Sequence, residues 1–230
     1  MAPKGYFVTG TDTAVGKTLA ALGLMQGLKN RGLRVAGFKP VACGGKYTET
    51  GLCNEDALAL QRASNVPLSY QQVNPLLFAP PIAPHIAARE ANRCIDISML
   101  AKSFQDLAAR TDRVVVEGAG GWLVPLNDKE NTADLAKSLA LPVVLVVGLR
   151  LGCLNHTLLT VESLGNHGVK LTGWVANLID PDFHRVDANI AALQERVPAP
   201  LLARIPWFDA VRPQPEEVAE YFQTRELGQL

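Results

Sequence analysis

The stretch Tyr6-Phe7-Val8-Thr9-Gly10-Thr11-Asp12-Thr13-Ala14-Val15-Gly16-Lys17-Thr18 decides the fold. Tyr6–Thr9 reads as a short buried strand, the next residues as a glycine-bounded loop, and Gly16–Arg31 as a helix closed by the Arg-Gly at 31–32. Glycines let backbone N–H groups turn inward around phosphate oxygens, and a helix N-terminus adds positive partial charge. Lys17 can reach the outer phosphates of a nucleotide, and the Thr18 hydroxyl can ligate Mg²⁺. The spacing, Gly-x5-Gly-Lys-Thr, is one residue longer than the common phosphate-loop pattern.

Outward from this loop the same alternation continues. Arg34–Lys39, Val114–Glu117, Pro142–Val147, Gly173–Asn177 and Leu201–Ile205 read as strands. Asn54–Ala63, Ile97–Ala109, Asn131–Leu139, Asn155–His167, Asp182–Arg196 and Glu216–Phe222 read as helices, with Asn54 placed to cap the first. The strands are runs of Val, Leu and Ile without polar alternation, as expected when helices cover both faces of a sheet. The fold expected is therefore α/β: a three-layer sandwich with a mainly parallel central sheet, like that of phosphate-loop nucleoside triphosphatases. Ligands of such folds gather at the carboxyl ends of the strands.

Composition sets the remaining bounds. Of 230 residues, 48% are hydrophobic and 19% charged, which supplies a core and excludes disorder for the bulk of the chain. The 22 basic and 22 acidic side chains cancel, so no net field draws nucleic acid or an anionic membrane. Neither a secretory h-region nor an apolar stretch of about 18–20 residues is evident. Cys43, Cys53, Cys94 and Cys153 lack metal-ligand spacing and read as reduced thiols, so a cytoplasmic location is expected. No linker divides residues 1–230, which read as one domain.

Three further side chains fit phosphoryl transfer. Glu117 ends an apolar strand before Gly118-Ala119-Gly120-Gly121, a place from which a carboxylate can hold Mg²⁺. Asp56, near the start of a helix, is a second metal candidate, and is equally read as favourable charge at a helix N-terminus. Lys39 closes the second strand, where it can stabilise charge on a transferring phosphoryl group or stand as a solvated lysine.

Together the motifs resemble the dethiobiotin synthetase family. The resemblance is carried by residues 6–13, Gly16-Lys17-Thr18, Phe38-Lys39-Pro40-Val41, Glu55-Asp56-Ala57-Leu58 and Pro84-His85. It continues in residues 116–122, Leu151-Gly152-Cys153-Leu154-Asn155-His156, Gly173-Trp174-Val175-Ala176-Asn177 and Ile205-Pro206-Trp207. It spans residues 5 to about 208 in order, and the longer phosphate loop belongs to it.

The resemblance implies a homodimeric, ATP-dependent cyclo-ligase of biotin biosynthesis. It would convert 7,8-diaminononanoate, CO₂ or bicarbonate and MgATP to dethiobiotin, ADP and phosphate. By motif match, Thr13, Lys17 and Lys39 would line the junction of phosphate and carbamate, with Lys39 the main catalytic cation. Thr18, Asp56 and Glu117 would surround Mg²⁺. Ala14, Val15, Gly16 and Leu19 would complete the phosphate cradle, and Gly118, Ala119 and Gly120 would pack the nucleotide against the carbamate site. Asn177, Leu178, Pro206, Trp207 and Phe208 would hold the adenine. Gly152, Cys153, Leu154 and Asn155 would receive the substrate carboxylate across the dimer interface, with Cys43 on the diamine side. Pro80, Pro81 and Pro84 are placed to wall the alkyl chain or to form a rigid loop.

Two residues depart from the family pattern: Ala14 where Glu is frequent, and Cys43 where Ser is frequent. Both bear on diamine positioning and neither removes a phosphate or metal ligand. A competing reading is an ATP-driven switch of the partition and cell-division ATPase kind. Those proteins carry an extra lysine early in the phosphate loop, a region held here by Thr11 and Asp12. A third, a corrinoid-pathway amidotransferase, needs an appended glutaminase portion for which 230 residues leave no room.

Overall fold

The strand that runs into the phosphate loop stands inside the sheet, with neighbours on both sides. The computed structural model describes residues 4–49, 51–209 and 213–223. The first half holds β1 (Gly5–Gly10), α1 (Lys17–Lys29), β2 (Val35–Phe38), β3 (Val41–Cys43), β4 (Lys46–Thr48), β5 (Gly51–Cys53), α2 (Glu55–Ala63), α3 (Tyr70–Val73), β6 (Leu76–Phe78) and α4 (Pro84–Glu90). Then come α5 (Ile97–Ala108), β7 (Arg113–Glu117), α6 (Thr132–Ser138), β8 (Val143–Leu149), α7 (Cys153–Asn166), β9 (Leu171–Leu178), α8 (Val186–Gln194), β10 (Leu201–Ile205) and α9 (Pro215–Glu220).

Six of the strands form one sheet in the order β10-β9-β8-β1-β7-β2, every adjacent pair parallel. Successive side chains leave a strand on opposite faces, and the packing follows. Tyr6 and Val8 enter a cluster with Leu24 and Leu28 of α1, whereas Phe7 packs with Leu100 and Phe104 of α5 and Leu135 of α6. Leu145 and Val147 of β8 join Trp174 of β9 and Ile190 and Leu193 of α8 in a third cluster. Side chains as large as Trp174, Tyr6 and Phe7 are fully buried, and the burial of Phe7 contributes about 1.5–3 kcal/mol. The expected sandwich with a parallel sheet is thus the fold found.

The chain runs from β1 out to β2, returns to β7 beside β1, and then crosses to β8 on the other flank of β1. That reversal places a crevice beyond the carboxyl end of β1, where ligands of open α/β sheets bind.

Several boundaries differ from expectation for local reasons. α7 begins at Cys153 rather than Asn155, because Gly152 at φ 93° turns the chain into the helix two residues early. The helix expected at Asp182–Arg196 is shorter: Asp180 accepts the Asp182 N–H in a turn, and Arg185 sits at φ 58° before α8 begins. Between Pro40 and Arg93 the structure adds the parallel pair β3–β6, the hairpin β4–β5 and the short helices α3 and α4. Among the described residues no helix is long and apolar enough to cross a membrane.

Candidate functional site

The phosphate loop is shaped by its backbone. Ala14 at φ 57° and Gly16 at φ 88° lie in the left-handed region with Val15 between them, an alternation from which anion-holding concavities are built. Gly16 has a second reason to be glycine: a Cβ there would lie 2.1 Å from Asn177 Nδ2. That amide donates to the Val15 carbonyl at 2.9 Å and ties the loop to the end of β9. Within the loop Lys17 Nζ donates to the Asp12 carbonyl at 3.0 Å, and the Asp12 carboxylate accepts the Thr13 N–H at 2.7 Å.

Sheet register assembles the charged cluster. Phe38 pairs with Val116 and Val8 with Glu117, so Lys39, Glu117 and the start of the phosphate loop emerge together at one end of the sheet. Lys39 Nζ lies 2.5 Å from Glu117 Oε1, 3.6 Å from Asp56 Oδ2 and 3.3 Å from the Gly118 carbonyl. The Thr18 hydroxyl donates to the same Glu117 Oε1 at 3.0 Å. Burial pushes the Lys17 amine down to about 8, helped by the nearby Lys39 charge and opposed by Glu117, Asp56 and Asp12. Burial would also lower Lys39, but Glu117 and Asp56 outweigh it and hold the ammonium above its ordinary value.

A hydrogen-bond chain fixes this cluster from behind. Asn54 caps α2, accepting the N–H groups of Asp56 and Ala57, and so sets the turn that carries Asp56. The Asn54 N–H donates to the Tyr70 hydroxyl at 2.8 Å, and that hydroxyl donates to Asn74 Oδ1 at 3.0 Å. Asn74 Nδ2 in turn donates to the Lys39 carbonyl at 2.6 Å. Of this chain only the Asn54 cap is legible in the sequence.

Lys17, Thr18, Lys39, Asn54, Asp56 and Glu117 face one cavity of about 1090 Å³. It extends from Asn177, Pro206 and Trp207 beyond β9 and β10, past Lys17, Thr18 and Lys39, to Cys43, Pro81 and Ile82 beyond β2 and β3. Thr13, Ala14, Gly16 and Leu19 line it, as do Ala119, Gly120, Leu178 and Phe208. Pro84, Leu123 and Val124 add an apolar wall for which only the prolines gave a sequence signal. Val15 is absent from the lining because it is buried in the core, and Gly118 because it sits behind, donating its N–H to the Val8 carbonyl. Residues 152–155 are also outside the cavity; they lie past the end of β8, with Cys153 buried and neighbouring Leu151 91% exposed. Burial raises the Cys43 thiol against the opposing pull of Lys39, and burial likewise raises Cys153.

The donor set suits a small hard cation. Glu117 Oε2 is buried with no hydrogen-bond partner, and it shares the site with the Thr18 hydroxyl and the half-exposed Asp56 carboxylate. Mg²⁺ is commonly held by one or two carboxylates together with substrate phosphates, which is what these residues offer. Among the described residues no group of three or more His, Cys, Asp or Glu could hold a metal alone.

Known proteins share both the sequence and the fold. A family profile described as an AAA domain matches residues 4–215. The ATP-dependent dethiobiotin synthetase BioD of Pseudomonas aeruginosa (strain UCBPP-PA14) is 51% identical over 224 residues, covering 97% of each chain. BioD 1 of Escherichia coli O157:H7 is 46% identical over 218 residues, covering 95% of this chain and 96% of its own. Among solved structures, the septum site-determining protein MinD from Pyrococcus horikoshii, complexed with Mg-ADP, superposes with a TM-score of 0.55 at 18% identity. That match covers 98% of this chain and 89% of MinD. A ParA family ATPase from Chlorobium tepidum gives 0.56 at 13% identity over 98% and 93% of the two chains. At such identities the likeness to the two ATPases concerns the fold.

Proposed function

The chain belongs to the ATP-dependent dethiobiotin synthetase family, and from that premise we propose that it closes the ureido ring of dethiobiotin from 7,8-diaminononanoate, CO₂ and MgATP. One amine adds to CO₂ and loses a proton, giving a carbamate. Its oxygen attacks the γ-phosphorus of ATP, ADP departs, and a carbamic–phosphoric anhydride remains. The second amine then attacks the anhydride carbonyl and phosphate leaves. A free carbamate lacks a good leaving group, so the protein's task is to align it with the phosphoryl group and offset the charge that develops.

The single observation that carries this reading is the position of Lys39. It lies between the phosphate loop and the apolar wall, buried, charged and open to the same cavity as Lys17. Two ammonium groups at that junction suit a reaction in which a carboxylated amine meets a terminal phosphate. Thr13 and Lys17 orient the transferring group, and Lys39 stabilises the anhydride and the departing phosphate. Gly120, in the left-handed region at φ 63°, lets the cavity wall pack closely on Val124, which a Cβ there would meet at 2.8 Å. Thr18, Asp56 and Glu117 would hold Mg²⁺, which supplies charge neutralisation on the polyphosphate.

Asn177, Leu178 and the Pro206–Phe208 segment form the adenine end, while Cys43, Pro81, Pro84 and Leu123 take the alkyl chain. The start of α7, Gly152 to Asn155, binds the substrate carboxylate of a second subunit, since a helix N-terminus favours an anion. Exposed Leu151, Leu158 and Leu159 on and beside that helix support a homodimer formed through this face.

The test is incubation with diaminononanoate, bicarbonate and MgATP while dethiobiotin is followed by mass. Product formation with equimolar ADP is expected. ATP turnover indifferent to the diamine overturns the reading in favour of a nucleotide switch.

A further inference from the structure

Asp12 and Arg150 join two loops that are distant in sequence. Arg150 Nη2 lies 2.5 Å from Asp12 Oδ2. The register of β1 against β8, with Gly10 opposite Val146, brings the ends of these strands together. Asp12 is also the point on which the phosphate loop closes: its carbonyl accepts from Lys17 Nζ and its carboxylate from the Thr13 N–H. Arg150 stands at the other junction. Its carbonyl accepts the Cys153 N–H at 3.0 Å, which shapes the turn through Gly152 into α7.

The magnitude of the pair argues against a stabilising purpose. Both side chains are more than 40% exposed, and ion pairs at that exposure add little or nothing to stability. Geometry is a different matter, because a displacement of about 1 Å in a reacting group can lower a rate on the order of 100-fold. Arg150 does not line the cavity, so it acts through Asp12 and not on a ligand.

We propose that Arg150 is a positioning residue that clamps Asp12, holding Lys17 and Thr13 in register with the reacting phosphate and linking the phosphate loop to the start of α7. The inference rests on the ligase reading above. The Asp12 carboxylate has two jobs, one oxygen for the Thr13 N–H and one for the guanidinium, and Asp12→Asn retains the first while weakening the second.

The experiment is a double-mutant cycle with Asp12→Asn and Arg150→Gln, reading kcat and KM for dethiobiotin formation, ATP-analogue affinity by calorimetry, and melting temperature. A wild-type protein that makes no dethiobiotin defeats the ligase reading; the clamp is judged only against an active wild type. Each single variant is expected to lower kcat about tenfold, with analogue affinity within about threefold of wild type and an unchanged melting temperature. The double variant should be no slower than the worse single, and Arg150→Lys, which keeps a cation within reach, should recover most of the rate. Independent multiplication of the two losses, or a wild-type rate in Arg150→Gln, overturns the clamp. A large loss of analogue affinity in Arg150→Gln alone, with Asp12→Asn unaffected, overturns it too, because Arg150 would then be touching the ligand.

Discussion

Lys39 and Glu117 form an ion pair of 2.5 Å in which both side chains are almost wholly buried. The pair follows from sheet register, since the residues preceding them, Phe38 and Val116, lie opposite each other on adjacent strands. Desolvating two charges offsets much of their attraction, and apolar residues of similar size often serve stability as well. A buried pair kept in the lining of a cavity, with Asp56 and Thr18 beside it, therefore reads as chemistry.

Replacing Lys39 by Ala leaves Glu117 buried without its nearest cation, a loss on the order of 3–5 kcal/mol. Turnover is expected to fall at least about 100-fold while calorimetric ATP affinity stays within about fivefold. Affinity that collapses together with the rate removes Lys39 from the catalytic role. The pH dependence has a definite sign. The folded-state pKa is held above the ordinary 10.5, so the stabilising contribution is complete below pH 10.5 and is lost as pH climbs through the folded value. Alkaline melts above pH 10.5 should therefore drop more steeply for the wild type than for Lys39→Ala.

Lys17 titrates in the opposite sense. Its amine, lowered to about 8, makes the folded protein resist protonation, an unfavourable contribution that is full below pH 8 and relieved as pH rises toward 10.5. Polyphosphate favours the charged form, so ATP binding near pH 8 should take up about half a proton. Affinity should weaken above pH 8 by up to about tenfold per unit. Calorimetry in buffers of different ionisation enthalpy measures the uptake; proton release, or a flat affinity from pH 7 to 9.5, contradicts the assignment.

Thr18 touches Glu117 and so belongs to the acidic corner as well as to the loop. With valine in its place, the Mg²⁺ concentration for half-maximal turnover is expected to rise about tenfold, and serine should restore it. An unchanged metal requirement in a folded Thr18→Val protein takes this hydroxyl out of the metal site.

Tyr70 acts from a distance. Its hydroxyl joins the Asn54 cap under Asp56 to Asn74, which grips the Lys39 carbonyl. Phenylalanine there leaves one buried donor and one acceptor short of a partner, a destabilisation of about 1–3 kcal/mol. The Mg²⁺ requirement should rise with it, because the turn carrying Asp56 loosens; a lower melting temperature with unchanged metal dependence would show a purely structural tie.

The parts of the molecule legible in the sequence are those in which one local pattern suffices. Apolar runs such as Val114-Val115-Val116 need both faces covered, and that alone implies the parallel sheet and its helical layers. Lys17 and Thr18 stand at the start of α1 and Lys39 and Glu117 at strand ends, so their convergence follows from the fold. What was hidden is tertiary. β3 and β6 are three residues each and exist through pairing across more than thirty positions. Asn74 and Tyr70 gain meaning only from what they touch, and Arg150 reads as a surface cation until β8 is laid beside β1.

Gly16 and Asn177 give a test in which two physical causes separate. Gly16→Ala suffers twice: its φ of 88° is costly for any residue with a Cβ, and the new methyl would meet Asn177 Nδ2 at 2.1 Å. Asn177→Ala suffers differently, losing the hydrogen bond to the Val15 carbonyl, worth about 1 kcal/mol, and its proposed contact with the base. If the clash dominates, Gly16→Ala/Asn177→Ala should bind ATP better than Gly16→Ala alone, since the obstructing amide is gone. The backbone strain of about 1–2 kcal/mol remains in both, so neither should return to wild-type affinity. Calorimetric titration of the four proteins resolves the terms. Strict additivity would assign the whole defect to backbone strain and would deny that the Asn177 amide obstructs the added methyl.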